Sequence, residues 1–206
     1  MINKDHWESI YSTKPLDGVS WFQEHAEVSV GLITSAEIGR DAAIIDVGAG
    51  ASVLVDDLLE LGYHDISVLD LSGSALEKAK ARLGKEKAEG INWIEADVTT
   101  VDLGLQRFDV WHDRAVFHFL TDEESRERYV ENVMRSVKPG GYVIVATFAE
   151  DGPTKCSGLT VNRYSADELH AEFGARFELI KSEKEDHNTP FGTEQKFVYC
   201  FCLKKL

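Results

Sequence analysis

The chain has 206 residues, of which 43% are hydrophobic, and its 36 acidic residues outnumber 22 basic ones to give a formal net charge of −14. A chain of this length suits one domain with one core, and its negative charge opposes binding to nucleic acid or to an anionic membrane. No apolar run approaches the ~20 residues of a membrane span, and residues 1–6 do not resemble a signal peptide, so we expect a cytoplasmic protein. The three cysteines lack the spacing of metal ligands, so we expect neither a metal site nor a disulfide framework.

The first 40 residues contain two predicted helices that lie outside the main sheet. A short helix carries Trp7-Glu8-Ser9-Ile10-Tyr11, and a second is predicted over residues 21–37. We therefore predict a single domain over residues 1–206, made of an N-terminal helical cap, 1–40, and an α/β core, 41–206.

From residue 42 onward, apolar strand-like runs alternate with helical segments. Five strands are predicted at 43–47, 66–70, 91–95, 108–112 and 142–148, and three helices at 52–61, 72–83 and 122–137. The turn Lys138-Pro139-Gly140-Gly141 is expected to end the last of these helices and to begin the fifth strand. An alternation of this kind predicts right-handed crossovers and a parallel sheet.

Two further strand-like runs close the chain. They span 177–182 and 196–203 without a helix between them, so we expect them to pair antiparallel. The prediction is an α/β fold with a doubly wound, seven-stranded, mainly parallel sheet, a C-terminal antiparallel hairpin strand and helices on both faces.

Acidic residues stand at or just after the ends of the first three predicted strands. The turn Asp46-Val47-Gly48-Ala49-Gly50 lets the backbone approach a ligand closely, and Asp70 is placed to accept the hydroxyls of a ribose. Asp97 is placed to meet the amine of an adenine. A dinucleotide site would need glycine where the chain has Val53, which makes a nicotinamide enzyme the weaker hypothesis. Each acid alone has a structural alternative, but three at one sheet edge indicate a nucleoside cofactor.

These segments, together with Phe108-Asp109-Val110 and Val116-Phe117-His118-Phe119-Leu120, resemble the Rossmann-like class I S-adenosylmethionine-dependent methyltransferases over nearly the whole chain. The resemblance implies an enzyme that transfers a methyl group from S-adenosyl-L-methionine and releases S-adenosyl-L-homocysteine. It also implies contacts with the methionine part, the ribose and the adenine of the cofactor. Carried over in that order, the contacts fall on Asp46, Gly48, Ala49 and Gly50, on Asp70 with Leu71, and on Asp97 with Val98.

At its N-terminus the chain is similar to a narrower subgroup, in which a W-x-x-x-Y helix closes over the methionine carboxylate. Trp7 and Tyr11 hold these positions, and packing of the cap on the core is the structural alternative for them. Eukaryotic lysine methyltransferases of elongation factor and of citrate synthase resemble the chain here and at Gly62-Tyr63-His64-Asp65-Ile66. They typically carry D-K-G after strand four, whereas this chain has His112-Asp113-Arg114-Ala115. We therefore expect a small-molecule acceptor, with a protein lysine as the alternative and a non-catalytic cofactor-binding module as a third hypothesis.

Methyl transfer is an in-line displacement, so the acceptor needs alignment and, where it loses a proton, a base. His118 occupies the position of a histidine common in small-molecule members of the family, and we expect it as the acceptor-side base before His112 and Asp113. Asp113 is also expected to touch the amino group of the cofactor. A histidine that is merely packed at a helix start is the alternative for His118. The residues expected to bind the acceptor are Trp21, Arg114 and Tyr164.

Overall fold

The structure is a computed structural model that describes residues 4–206; residues 1–3, part of the segment considered above for a signal peptide, lie outside it. Seven strands form one sheet in the order β3-β2-β1-β4-β5-β9-β8. They are β1 (Ala43–Val47), β2 (Asp65–Asp70), β3 (Asn92–Glu95), β4 (Phe108–Arg114), β5 (Val137–Phe148), β8 (Phe177–Asn188) and β9 (Glu194–Lys204). A small separate hairpin is made of β6 (Lys155–Cys156) and β7 (Leu159–Thr160).

The helices lie around this sheet. They are α1 (Lys4–Thr13), α2 (Glu27–Ser35), α3 (Leu54–Glu60), α4 (Gly73–Leu83), α5 (Lys85–Ala88), α6 (Glu123–Ser136) and α7 (Ala166–Phe173), with short 3₁₀ turns at Leu16–Gly18 and Phe117–Phe119. None of the helices in the described part of the chain is long and apolar enough to cross a membrane.

The direction of the strands confirms the predicted fold class. The strands β1, β2, β3, β4 and β5 pair in parallel, whereas β9 runs antiparallel to both of its neighbours, β5 and β8. Strand β9 is therefore the one reversed strand, and β8 returns to the direction of the others. The division of the chain into a cap over 1–40 and a core over 41–206 stays a prediction.

Two apolar cores, one on each face, explain why the central strands read as continuous hydrophobic runs. In β1, Ile44 packs into the core that contains Ile33 and Leu58, whereas the next residue, Ile45, packs into the core that contains Tyr129 and Leu169. Successive side chains of a strand point to opposite faces, so a central strand that is covered on both faces is apolar throughout.

Several boundaries differ from those predicted. Helix α2 begins at Glu27 rather than near residue 21, because the chain is fixed just before it by the Ala26 N–H, which donates to the Asp57 carboxylate at 2.8 Å. Trp21 therefore precedes the helix. Strand β4 runs on to Arg114, two residues past its predicted end, and both hairpin strands are longer than predicted.

The Pro-Gly-Gly segment is part of β5 rather than a turn that precedes it. Strand β5 begins at Val137, directly after α6, and Val137 pairs with Phe108 before an irregularity in the register. A Cβ atom at position 141 would lie 3.0 Å from the backbone oxygen of Asp109, so glycine permits the close approach of the two strands here. Helix α7, which was not predicted, starts with a capping box between Ser165 and Glu168.

Candidate active site

The larger of two adjoining cavities lies at the carboxyl ends of β1, β2 and β4, partly covered by the N-terminal segment. Most of the residues expected to bind the cofactor or the acceptor line it: Trp7, Tyr11, Trp21, Gly48, Asp70, Leu71, Asp97, Val98 and Arg114. A second, smaller cavity shares Tyr11, Trp21, Gly48 and Arg114 with the first and adds Asp46, Ala49 and His112. The two cavities thus meet along the glycine turn and at the end of β4.

The glycine turn is shaped by backbone that other residues rarely adopt. Gly48 and Gly50 have φ angles of 61° and 56°. A Cβ atom at position 48 would lie 1.7 Å from a methyl carbon of Val116, and one at position 50 would lie 2.1 Å from the Tyr11 hydroxyl oxygen. The cap and the segment after β4 therefore press directly on the turn.

Asp70 ties the turn to the next loop. One oxygen of its carboxylate accepts the Gly50 N–H at 2.7 Å, and the other accepts the Ser72 N–H at the same distance. Burial raises the pKa of this carboxyl to about 6, although the two backbone donors act in the opposite direction. Each oxygen keeps a lone pair, and the residue lines the larger cavity, so its carboxylate is able to accept two further hydrogen bonds from a ligand.

On the opposite wall, Asp97 is held by its own loop. Its Oδ1 accepts the Thr99 N–H at 2.8 Å and the Thr99 hydroxyl at 2.7 Å. The adjacent Val98 is buried, and Leu71 and Val116 contribute further apolar surface to the cavity. This wall combines a carboxylate with flat apolar contacts, which suits a base such as adenine.

Four aromatic side chains from the N-terminal segment and from the segment after β4 form what we call the aromatic roof: Trp7, Tyr11, Trp21 and Phe119. The ring centroids of Trp7 lie 5.1 Å from Phe119 and 5.9 Å from Trp21, both edge to face. All four residues line the larger cavity. Packing of the cap and contact with the site are therefore compatible roles for Trp7, Tyr11 and Trp21.

Helix α1 is fastened to the core by Glu8. Its carboxylate accepts the N–H groups of Gly73 at 2.6 Å and Ser74 at 3.3 Å, at the start of α4. A carboxylate at this position satisfies free backbone donors and is favoured by the helix dipole. This contact holds the aromatic roof over the cavity.

The three consecutive residues at the end of β4, His112, Asp113 and Arg114, have different surroundings. His112 is buried between Asp46, whose Oδ1 lies 2.7 Å from its Nδ1, and Ser29, whose hydroxyl lies 2.8 Å from its Nε2. Asp113 faces the interior on the other side of the sheet. Its carboxylate accepts the N–H groups of Val116 and Phe117 and the Tyr129 hydroxyl. Asp113 lines neither cavity, and its bonds hold the turn after β4.

Arg114 is the third of these residues and lines both cavities. Its guanidinium donates to the Tyr199 hydroxyl at 2.9 Å and to Glu185 at 3.2 Å, and it lies 4.1 Å above the Phe197 ring. Glu185 also accepts from Gln23 at 2.7 Å. Glu185 and Tyr199 of the C-terminal hairpin line neither cavity but hold Arg114, and they were not predicted because nothing local to them in the sequence signals this contact.

His118 and Tyr164 lie outside both cavities. The His118 ring is buried between the rings of Phe119 and Phe148, and its Nδ1 accepts the Phe148 N–H at 3.3 Å. Burial, with the nearby Arg114 charge, lowers the pKa of His118 to about 3, so the imidazole is neutral and weakly basic. The Tyr164 hydroxyl donates to Glu172 at 3.1 Å, away from the glycine turn.

The loop after β5 does reach the larger cavity, through Cys156 of the small β6–β7 hairpin. Burial raises the pKa of this thiol to about 12, so it remains protonated at neutral pH and offers an apolar contact. Cys156, Val116 and Phe119 line the site but were not predicted as site residues.

The residues present fit S-adenosylmethionine. Asp70 and Asp97 offer carboxylates where a ribose and an adenine require acceptors, and these two groups lie in the same cavity. In the adjoining cavity, Asp46 Oδ2 is buried without a hydrogen-bond partner among residues 4–206, so this oxygen is available to a cation such as the methionine ammonium.

Comparison with known proteins agrees with this fit. Residues 44–141 match a family model for the methyltransferase domain. The EEF1A lysine methyltransferase 2 of Homo sapiens is 24% identical over 191 residues, which cover 86% of this chain and 75% of that protein.

Solved structures share the fold. A structure solved for the conversion of a disulfide bond into a thioacetal group during echinomycin biosynthesis has a TM-score of 0.77 at 18% identity and covers 98% of this chain and 93% of that one. The 1,6-didemethyltoxoflavin-N1-methyltransferase of Burkholderia thailandensis, bound to S-adenosylhomocysteine, has a TM-score of 0.68 at 21% identity, with 89% and 80% covered. The chain is an S-adenosylmethionine-dependent methyltransferase with the class I, Rossmann-like fold.

Proposed function

We propose that this methyltransferase transfers its methyl group to the side-chain nitrogen of a protein lysine. The observation that carries the proposal is the aromatic roof over the larger cavity. Aromatic faces attract alkylated ammonium groups and pack well on a four-carbon stem. The similarity to an elongation-factor lysine methyltransferase supports the same acceptor, and the net charge of −14 favours encounter with a basic protein surface.

In this proposal the cofactor lies across both cavities. Asp46 and the turn formed by Gly48, Ala49 and Gly50 hold its methionine part, with Trp7 and Tyr11 above it. Asp70 and Leu71 hold the ribose, and Asp97 and Val98 hold the adenine. When bound, S-adenosylmethionine supplies the electrophilic methyl group.

The chain prepares the acceptor by excluding water and by disfavouring its charge. A lysine amine attacks only when it is neutral, and both an apolar enclosure and a nearby positive charge lower the pKa of an ammonium. The aromatic roof provides the enclosure, and Arg114, which lines the cavity and is paired with the buried Glu185 behind it, provides the positive charge. Trp21 and Arg114 then serve as acceptor-side residues, and no strong base is required at His118.

A small anionic metabolite is the second candidate acceptor. The specific observation that favours it is the position of the Arg114 guanidinium on the wall of both cavities, where it is able to bind a carboxylate. This candidate matches the small-molecule acceptor expected above.

Two measurements test the proposal. Calorimetric titration with S-adenosylmethionine should show binding that Asp70→Ala abolishes and that Asp102→Ala, at an exposed acid of the same type, leaves unchanged. Isotope-labelled cofactor is then supplied with the protein fraction and, separately, the small-molecule fraction of a cell extract. We expect label in proteins, recovered as methyllysine after hydrolysis.

Label only in the small-molecule fraction would reject lysine and establish the second candidate. Tight cofactor binding with no transfer to either fraction would instead favour the non-catalytic module.

A further inference from the structure

Three buried polar side chains that line the smaller cavity form a continuous hydrogen-bonded chain. Ser29 lies on α2 of the cap, His112 on β4 and Asp46 on β1, and each is at most 3% exposed. The sheet register places His112 directly beside Asp46, and the distances along the chain are 2.8 and 2.7 Å. The site therefore includes a direct polar link between the cap and the first strand.

The hydrogen-bond roles along this link follow from its carboxylate end. An ionised carboxylate only accepts, so the Nδ1–H of His112 donates to Asp46 Oδ1. In the neutral ring, Nε2 then accepts the proton of the Ser29 hydroxyl. Both ring nitrogens are thereby engaged, so His112 has no free nitrogen to take a proton from the methyl acceptor.

The link also determines which oxygen of Asp46 remains available. Oδ1 is occupied by His112, whereas Oδ2 is buried and has no partner in the described part of the chain. A buried carboxylate oxygen without a partner is costly, so the arrangement suits a ligand that brings a positive charge. Asp46 is one of the residues that line the smaller cavity, beside Gly48 and Ala49 of the glycine turn.

We propose that His112 and Ser29 are positioning residues, which hold the Asp46 carboxylate in the orientation that receives the ammonium of the cofactor's methionine part. The inference rests on the proposed cofactor role of Asp46. The same three residue types in this order form nucleophilic triads in hydrolases. Here Ser29 is only 1% exposed, and the atom without a hydrogen-bond partner is the carboxylate oxygen Asp46 Oδ2. The link therefore acts on cofactor binding.

The test compares two ligands that differ only in the group that Asp46 receives. Calorimetry measures binding of S-adenosylhomocysteine and of its analogue without the α-amino group to the full chain and to His112→Leu, His112→Asn and Ser29→Ala. His112→Leu should weaken S-adenosylhomocysteine about tenfold or more and the analogue by less than about twofold. His112→Asn keeps an N–H near the position of Nδ1 and should restore most of the preference.

Equal weakening of both ligands by His112→Leu, with no recovery in His112→Asn, would overturn the inference and assign His112 to packing alone. In an Asp46→Asn background, His112→Leu should cause no further change in the preference for S-adenosylhomocysteine over the analogue. If His112→Leu lowers this preference as much in that background as in the unaltered chain, the inference is also contradicted. If His112→Leu does not fold, the comparison of the two ligands in Ser29→Ala and His112→Asn decides. If the unaltered chain binds neither ligand, the proposed function itself fails, which is a distinct result.

Discussion

At the scale of single residues, the surroundings of two buried carboxylates, Asp70 and Asp113, give them different roles. Asp70 lies on a cavity wall, where its oxygens are able to accept further hydrogen bonds from a ligand. The oxygens of Asp113 instead accept two backbone N–H groups and a tyrosine hydroxyl within the protein. Burial raises the pKa of each to about 6. Only Asp70 is in a position to convert that titration into a change of ligand affinity.

Cofactor affinity should therefore fall at acidic pH because of Asp70. Its pKa is raised to about 6 from the ordinary 3.8, so the carboxylate is ionised at pH 7 and becomes protonated as the pH falls through 6. A protonated carboxyl no longer accepts two ribose hydroxyls, and we expect about tenfold weaker binding at pH 5 than at pH 7. Calorimetry across this range, with Asp70→Asn as the control, measures the effect. An equally steep pH dependence in Asp70→Asn would attribute it to another group.

The glycine turn allows steric and backbone effects to be separated. Gly48→Ala places a methyl group 1.7 Å from Val116 at a φ of 61°, whereas Gly62→Ala meets nothing within 4 Å at a φ of 87°. Gly62→Ala should lower the free energy of unfolding by about 1 kcal/mol through backbone strain alone. Gly48→Ala should cost more and should abolish cofactor binding. Urea denaturation and calorimetry report the two quantities, and equal stabilities of the two variants would contradict the proposed clash.

At the scale of elements, the end of β4 shows how a strand distributes function. Alternation places His112 and Arg114 on the side of the cavities and Asp113 on the opposite side. This arrangement was accessible to sequence reasoning, but the strand was predicted to end at residue 112, which left Asp113 and Arg114 in a loop with no assigned direction.

Helix α1 should control the exchange of cofactor. Glu8→Ala removes the acceptor for two N–H groups of α4, so the aromatic roof should open more often. We expect the cofactor dissociation rate to rise severalfold, with a smaller change in thermal stability. Stopped-flow tryptophan fluorescence, to which Trp7 and Trp21 of the roof contribute among the four tryptophans of the chain, measures the rate, and Glu86→Ala on the exposed α5 is the control. An unchanged dissociation rate would show that the contact does not hold the roof.

At the scale of the whole molecule, the site unites segments from the entire chain. The alternation of strands and helices, the parallel strands and the antiparallel C-terminal hairpin follow from local apolar patterns, so the sequence was sufficient to predict them, whereas the order of the strands across the sheet was not predicted. The three loops expected to bind the cofactor were inferred from acids at strand ends, and that role stays a prediction. The meeting of Arg114 with Glu185, and of Ser29 with His112, depends on tertiary packing over distances of 71 and 83 residues along the chain. No periodicity or motif encodes such contacts.

The Arg114–Glu185 pair should make a measurable link between the core sheet and the C-terminal hairpin. Both side chains are about nine-tenths buried, at 9% and 11% exposure, so Arg114→Leu leaves the Glu185 carboxylate without its charged partner and with only the neutral donors Gln23 and Tyr199. Loss of one partner should cost about 3–5 kcal/mol of unfolding free energy, and the double variant Arg114→Leu, Glu185→Leu should cost less than the sum of the single variants. A double-mutant cycle in urea tests this, and additive losses would refute the coupling.

The distribution of the site along the chain also limits how it can be divided. The segment that matches the methyltransferase family, residues 44–141, carries Gly48, Asp70, Asp97 and Arg114 but lacks both Trp7 and Glu185. A fragment cut to those bounds would retain the floor of the cofactor cavity but lose three of the four residues of the aromatic roof and the counter-ion of Arg114. The segment that sequence comparison recognises is therefore smaller than the segment that carries the activity. A fusion or chimaera that is meant to transfer the activity must include the longer one.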